Sequence, residues 1–381
     1  MSLIDFLNRT MIIERMIGIC VYLFLTLYIY NKLNKCTTKR NLNLYYNVCI
    51  VILGLMAFFY IPKQEADLYR WLEITKSWKN LSFTDFYDRL LSKSGTPIAY
   101  MLMYLCSKVD ISGLLPCVCA VVFYINVFSV LKDISYQNIS DDKLGNEGFL
   151  FIVFMSAGSF LEVISGVRCF VAFSFIAKAF YFEIYRDRKI IWSFPIYIVA
   201  AFTHNAVIPI IVIRLIYYIF QKSQNIIKKL FNLAIIILCS FVIYHYGKIY
   251  ITSSFDKANG YISNQSYSYF WEYVIGALQW ILFLYIILKT QKLANYPISL
   301  RNIIGINKLL LFTELLLCFE YNIFHRMILI SSIMILPALN HLLLYERENM
   351  RHYRFVRNMT ILVFVIACVR GNLCGYRFFT L

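Results

Sequence analysis

The chain has 381 residues, 60% of them hydrophobic and only 15% charged. Soluble domains sit near half apolar with about a quarter charged, so this composition excludes one and points to a bilayer. The net charge of +16 does not indicate nucleic acid. Most Lys and Arg fall in short loops between apolar runs, the pattern that orients membrane spans, so no nucleic-acid partner is expected.

A span takes ~20 residues, so the length holds roughly 12 to 13 hydrophobic segments. The expected fold class is all-α: one polytopic helical membrane domain over 1–381 with short loops and membrane lipids around it. Eleven cysteines are scattered, mostly inside apolar runs. There is no Cys-x-x-Cys pair, and Cys117 and Cys119 are too close for zinc, so they read as packing residues.

In chain order, the first apolar run, Met11 to Tyr30, lacks a small-residue cleavage site and reads as a span from Ile12. The loop after it holds Lys32, Lys35, Lys39 and Arg40 with no acid, which assigns it to the cytoplasm. Span two, Leu44–Ile61, ends at Pro62. Residues 63–96 mix charges of both signs, as an outer loop would. Within them Leu68, Trp71, Leu72 and Thr75 recur at helical spacing, as do Phe83, Phe86, Tyr87 and Leu90, predicting two amphipathic surface helices.

Ile98–Val109 is too short to span. Leu114–Leu131, Phe149–Ile164, Arg168–Tyr185, Ile190–Thr203, Ala206–Phe220, Leu230–Tyr250, Tyr273–Leu288, Ile303–Phe319, Met327–Leu344 and Met359–Tyr376 follow as further segments. The loops 186–189, 221–229, 289–301 and 345–357 are all basic and assign themselves to the cytoplasm. That parity holds for the first half only if Ile98–Val109 dips or lies in the interface without crossing.

The central hairpin, residues 165–209, is the most informative stretch. Its basic turn Arg186-Asp187-Arg188-Lys189 lies at one end, and Arg168 and His204 return together to the other. Ionisable groups at bilayer depth are costly, which makes them functional candidates. With Asp67 and Arg70 in the first outer loop, Glu162 beside Arg168, and Glu320, His325 and Arg326 in a later turn, they outline a water-accessible cationic pocket. Arginine suits a diphosphate because its planar fork binds two phosphate oxygens at once. Tyr69 and Trp71 are candidate sugar-stacking residues. Lys178 and Arg214, toward the far ends of their segments, are expected to extend to the aqueous edge. Glu314 lies inside a segment, where it either orients an arginine or stays neutral. No Walker loop, dinucleotide fingerprint, nucleophile elbow, His-Glu-x-x-His or metal-spaced carboxylate cluster is present, so no cofactor and no metal are expected.

The run Gly166-Val167-Arg168-Cys169-Phe170-Val171-Ala172, the basic turn, and Ala201-Phe202-Thr203-His204-Asn205 together resemble the central hairpin of the EpsG-type family of polysaccharide polymerases. There an arginine opens an apolar helix and a second helix ends in Ala-x-x-x-His. His325-Arg326 with Pro337 resembles the family's later arginine helix, and Ala66-Asp67-Leu68-Tyr69 its Asp-x-Tyr element. Cys169 stands where the family usually has Gln.

The resemblance, which extends to Wzy-type O-antigen polymerases, implies a multi-pass bacterial inner-membrane glycosyltransferase. It would join undecaprenyl-diphosphate-linked oligosaccharide repeat units at the periplasmic face, without a metal, and a chain-length regulator is a partner to consider. Arg168 and Arg326 would face the diphosphate, His204 would be a third phosphate contact or the base, and Asp67 the other base or a sugar ligand. Tyr69, Arg70, Glu162, Glu320 and His325 would contact substrate. The alternatives are an O-antigen ligase or other lipid-linked glycosyltransferase, and a lipid-linked oligosaccharide flippase or transporter. A transporter calls for charges at mid-depth, whereas these cluster at segment ends.

Overall fold

The computed structural model describes residues 20–62, 67–93, 96–140, 146–157, 160–222, 270–293, 297–316, 318, 321–345 and 350–373. Among these residues the chain is helical and has no β-strand. The helices are α1 (20–34), α2 (Lys39–Phe58), α3 (Asp67–Ser77), α4 (Phe83–Lys93), α5 (Pro97–Val109), α6 (Leu114–Ser140), α7 (Glu147–Ala157), α8 (Phe160–Ser165) and α9 (Cys169–Phe180). A π-helical turn, Tyr181–Tyr185, leads to α10 (Ile190–Thr203), and a 3₁₀ turn, Asn205–Val207, to α11 (Ile208–Lys222). After the next described residue come α12 (Phe270–Gln291), α13 (Ile298–Leu316), α14 (Tyr321–Met334), α15 (Leu336–Tyr345) and α16 (Met350–Leu373). Lys39–Phe58, Leu114–Ser140 and Tyr273–Gln291 are long and apolar enough to cross a bilayer, and the bent pair α14–α15 makes a fourth candidate. The protein is an all-α helical membrane protein.

Helices α2 and α6 pack side by side. Leu42, Tyr46, Cys49, Leu53 and Ala57 form the buried stripe of α2 at three- and four-residue spacing. Close approach at their junction depends on Gly113, where a Cβ would stand 2.0 Å from the Phe58 carbonyl oxygen. Helix α9 packs on α6, α10 and α14, which makes it the central element of the bundle. Ten of its twelve residues are buried, so its apolar surface is covered on nearly every side.

Helix α5 covers the expected Ile98–Val109 run. At 13 residues it reaches only about 20 Å, short of the ~30 Å hydrocarbon core. It packs along α3. At its start, Thr96 meets Arg168; at its end, the Lys108 ammonium donates to the carbonyls of Lys79 and Leu81 at 2.9 and 2.6 Å, and Lys79 pairs with Asp110. The start of α5 is thus tied to the central hairpin and its end to residues 79–81 between α3 and α4. Helix α3 buries Leu68 and Thr75, as its spacing predicts. Helix α4 follows its pattern less closely: Phe86 is buried, but Phe83 and Tyr87 are about half exposed and stack on each other.

Other segments depart from expectation for local reasons. Helix α6 continues past Leu131 to Ser140 because its polar tail finds buried partners: Asn138 exchanges amide hydrogen bonds with Asn340 and donates to Glu147. The Phe149–Ile164 segment is described as two helices, α7 ending at Ala157 and α8 beginning at Phe160. Met327–Leu344 is bent by 42° between Met334 and Leu336, since Pro337 cannot donate to the carbonyl four residues back. The expected turn 320–326 is shorter than predicted, and Arg326 stands inside α14. The expected Leu230–Tyr250 segment, and the end of the last one beyond residue 373, lie outside the described residues.

Candidate functional site

The central hairpin forms as two packed helices. Arg168 is the residue before α9, where its carbonyl already accepts from Ala172 N–H at 3.1 Å, so the side chain leaves the bundle at the helix start. The guanidinium carbon sits 3.8 Å from the ring centroid of Trp71 on α3, and Nη1 donates to the Thr96 hydroxyl at 3.3 Å. A stacked arginine keeps its in-plane N–H groups available for an anion while its rotamers are restricted.

The neighbouring thiol reports what else is close. Cys169 is buried, and three charges act on it: Arg326, Arg168 and Asp67, in that order. These groups come from α14, the start of α9 and the start of α3, and lie far apart in sequence. Asp67 also pairs with Arg70 one helical turn on, and both side chains are largely exposed. The site therefore holds Arg168 against α3, with a second guanidinium, Arg326, and the ion-paired Asp67 within electrostatic range of Cys169.

His204 closes α10 and opens the 3₁₀ turn in extended backbone conformation (φ −157°). Its Nδ1 accepts the Ala206 backbone N–H at 3.1 Å. A ring nitrogen that accepts a hydrogen bond carries no proton, so neutral His204 is protonated at Nε2 and offers a donor there. Of the sequence alternatives, this geometry suits an oxygen contact and not proton abstraction through Nε2. Thr203, next to His204, lines the same cavity as Arg168.

Of the remaining expected residues, Tyr69 and Arg70 lie on α3 and Glu162 on α8, which packs against α3. His325 precedes Arg326 on the α14 backbone, and Glu320 lies outside the described residues. Among the described residues no three His, Cys, Asp or Glu side chains gather as a metal ion would need.

Two readings are corrected. Arg214 does not reach the aqueous edge; it is 3% exposed and ion-paired with Glu183 of the π turn. Glu314 is fully buried and accepts from the Ser331 hydroxyl on α14, so of its two expected roles the orienting of an arginine gives way to a serine contact. Sequence reasoning also missed Thr96 and took Trp71 for a sugar or interface residue. No local pattern signals that Trp71 and Arg168, 97 positions apart, stack on each other.

A family model described as the EpsG family matches residues 77–378, which takes in Arg168, His204 and Arg326 and begins after Asp67. No curated protein and no solved structure matches the chain. The chain belongs to the EpsG family, a family of Wzy-type polymerase-like membrane proteins.

Proposed function

We propose that the protein is a polymerase of lipid-linked oligosaccharide repeat units. It acts at the periplasmic face of the bacterial inner membrane on substrates carried by undecaprenyl diphosphate. The observation that carries this reading is Arg168 stacked on Trp71 and hydrogen-bonded to Thr96 at the start of α9, with Arg326 and Asp67 within electrostatic range of the adjacent Cys169. Family membership supports the polymerase class.

In this reading the growing chain's diphosphate lies against Arg168 and Arg326. A hydroxyl at the non-reducing end of the incoming unit attacks the anomeric carbon. A new C–O bond forms, the anomeric carbon–oxygen bond to the diphosphate breaks, and the diphosphate departs with the electron pair. Fixed cations stabilise the charge that develops on it. Asp67, a carboxylate beside them, takes the hydroxyl proton. His204 donates from Nε2 to a diphosphate oxygen. Tyr69, Arg70 and Glu162 contact the sugars, as do His325 and Glu320. Helix α3 lies against Arg168 through Trp71.

The position of Arg168 at the start of α9, with Arg326 and Asp67 in electrostatic range of its neighbour, favours surface chemistry over transport. Deleting the gene in a cell that makes its own surface polysaccharide tests this. A polymerase deletion leaves lipid A-core bearing one repeat unit. A flippase or ligase deletion leaves none, and that result overturns the proposal.

Two substitutions test the roles. His204→Gln places an amide donor near the Nε2 position and removes any proton exchange, so polymer length is expected to stay close to wild type. A loss as large as that of Arg168→Ala makes His204 the base. Trp71→Ala removes the platform under Arg168, with an expected loss worth about 0.5–2 kcal/mol in the transition state, while Trp71→Phe retains most of the rate. Equal loss in both shows that ring stacking is not what Trp71 supplies.

A further inference from the structure

A groove of about 170 Å³ starts at Arg168 and runs between four helices. Its walls are Ala99 and Leu102 of α5, Val118 and Val122 of α6, Val171 of α9 and Val199 of α10. The lining residues Arg168, Val171 and Phe175 follow one face of the central hairpin, and Leu115, Val118 and Val122 one face of α6. This spacing makes the groove two helical turns long, about 10 Å. Arg168 and Thr203 are its polar members, both at the end that carries the cations. The Thr203 hydroxyl is turned back onto the Val199 carbonyl at 2.7 Å. Below Arg168 the wall is therefore hydrocarbon, where water would find no hydrogen-bond partners. The same helices expose Leu105, Ile125, Ile198 and Phe202, large apolar side chains suited to a lipid surrounding.

We propose that this groove receives the first units of a polyprenyl chain whose diphosphate rests on Arg168. The inference rests on the proposed function, and it adds where the lipid tail lies. A cation at the top of an apolar channel is complementary to an anionic head with hydrocarbon directly attached. The channel's length of two helical turns and volume of about 170 Å³ match a short stretch of a hydrocarbon chain. Its walls mix short side chains, Ala99 and the valines, with Leu102, Met103, Leu115 and Phe175. Helix α5 packs against α10 along this groove, where it covers the tail next to the reacting end.

Photolabelling of the purified full-length protein tests this. The probe is a polyprenyl diphosphate with a diazirine on its second isoprene unit, mapped by peptide mass spectrometry. Labels are expected in peptides of α5, α6, α9 and α10, suppressed by excess undecaprenyl diphosphate and not by phosphatidylglycerol. Val122→Phe, which fills the groove, is expected to lower this labelling about tenfold, the loss when about two methylene groups no longer bury. An unchanged thermal unfolding profile shows that variant to be folded, and Val199→Phe provides a second filling site. Competed, Arg168-dependent labelling that maps elsewhere overturns the groove and leaves the diphosphate site standing. Suppression by phosphatidylglycerol to the same degree makes the groove a bulk-lipid site and overturns the proposal. Labelling that neither lipid suppresses and Arg168→Ala does not alter removes the head site, and the groove proposal with it.

Discussion

Arg168→Ala is expected to collapse the polysaccharide ladder to a single repeat unit while the protein remains at its normal level in the membrane. Removing one preorganised donor from a developing anion lowers the rate by about 10²–10³-fold. The arginine is fixed on two sides, by the Trp71 ring at 3.8 Å and the Thr96 hydroxyl at 3.3 Å, so its contribution is made with little reorganisation. Arg168→Lys keeps the charge and loses both the fork and the stack, and an intermediate ladder is expected. Gel analysis of the glycan with an immunoblot of the protein checks both. A full-length ladder from the alanine variant removes Arg168 from the mechanism.

The second large effect is on stability. Arg214 and Glu183 are each 3% exposed and ion-paired, and Glu183 also accepts the Tyr197 hydroxyl. The Arg214 guanidinium carbon lies 5.7 and 5.4 Å from the ring centroids of Tyr217 and Tyr218. Glu183→Gln leaves a buried cation without its counter-charge, a loss of about 3–5 kcal/mol when one partner of such a pair is removed. Replacing both at once, Glu183→Leu with Arg214→Met, is expected to recover most of that, because no charge remains to be compensated. Thermal unfolding of the detergent-purified protein and its yield from membranes report the difference. A single variant as stable as wild type shows that the pair is not holding α11 to the π turn.

This pair also shows where the sequence stops being informative. Arg214 alone, near the end of an apolar run, reads as a side chain that reaches for water. Its partner lies 31 positions earlier, and only the fold brings them together. Likewise nothing local links Trp71 or Thr96 to Arg168. What depends on short-range pattern was legible. Ile190–Thr203 begins and ends where the apolar run does, since a basic turn precedes it and a polar His-Asn pair follows. Ile98–Val109 forms as one short helix over the range its apolar run marks. The break at Ile335 was half legible: Pro337 was visible, and its effect on the helix was not applied. Arg168, His204 and Arg326 were identifiable as charges at the ends of apolar runs. Arg326 was placed in a turn because the helix start at Tyr321 precedes the apolar run that marks it.

The most direct test is reconstitution: the purified protein in lipid vesicles, supplied only with a single undecaprenyl-diphosphate-linked repeat unit. The account predicts a ladder of joined units with one undecaprenyl diphosphate released for each new bond, and its loss in Arg168→Ala and Arg326→Ala. Repeat units that stay single, or that cross the bilayer unjoined, contradict it.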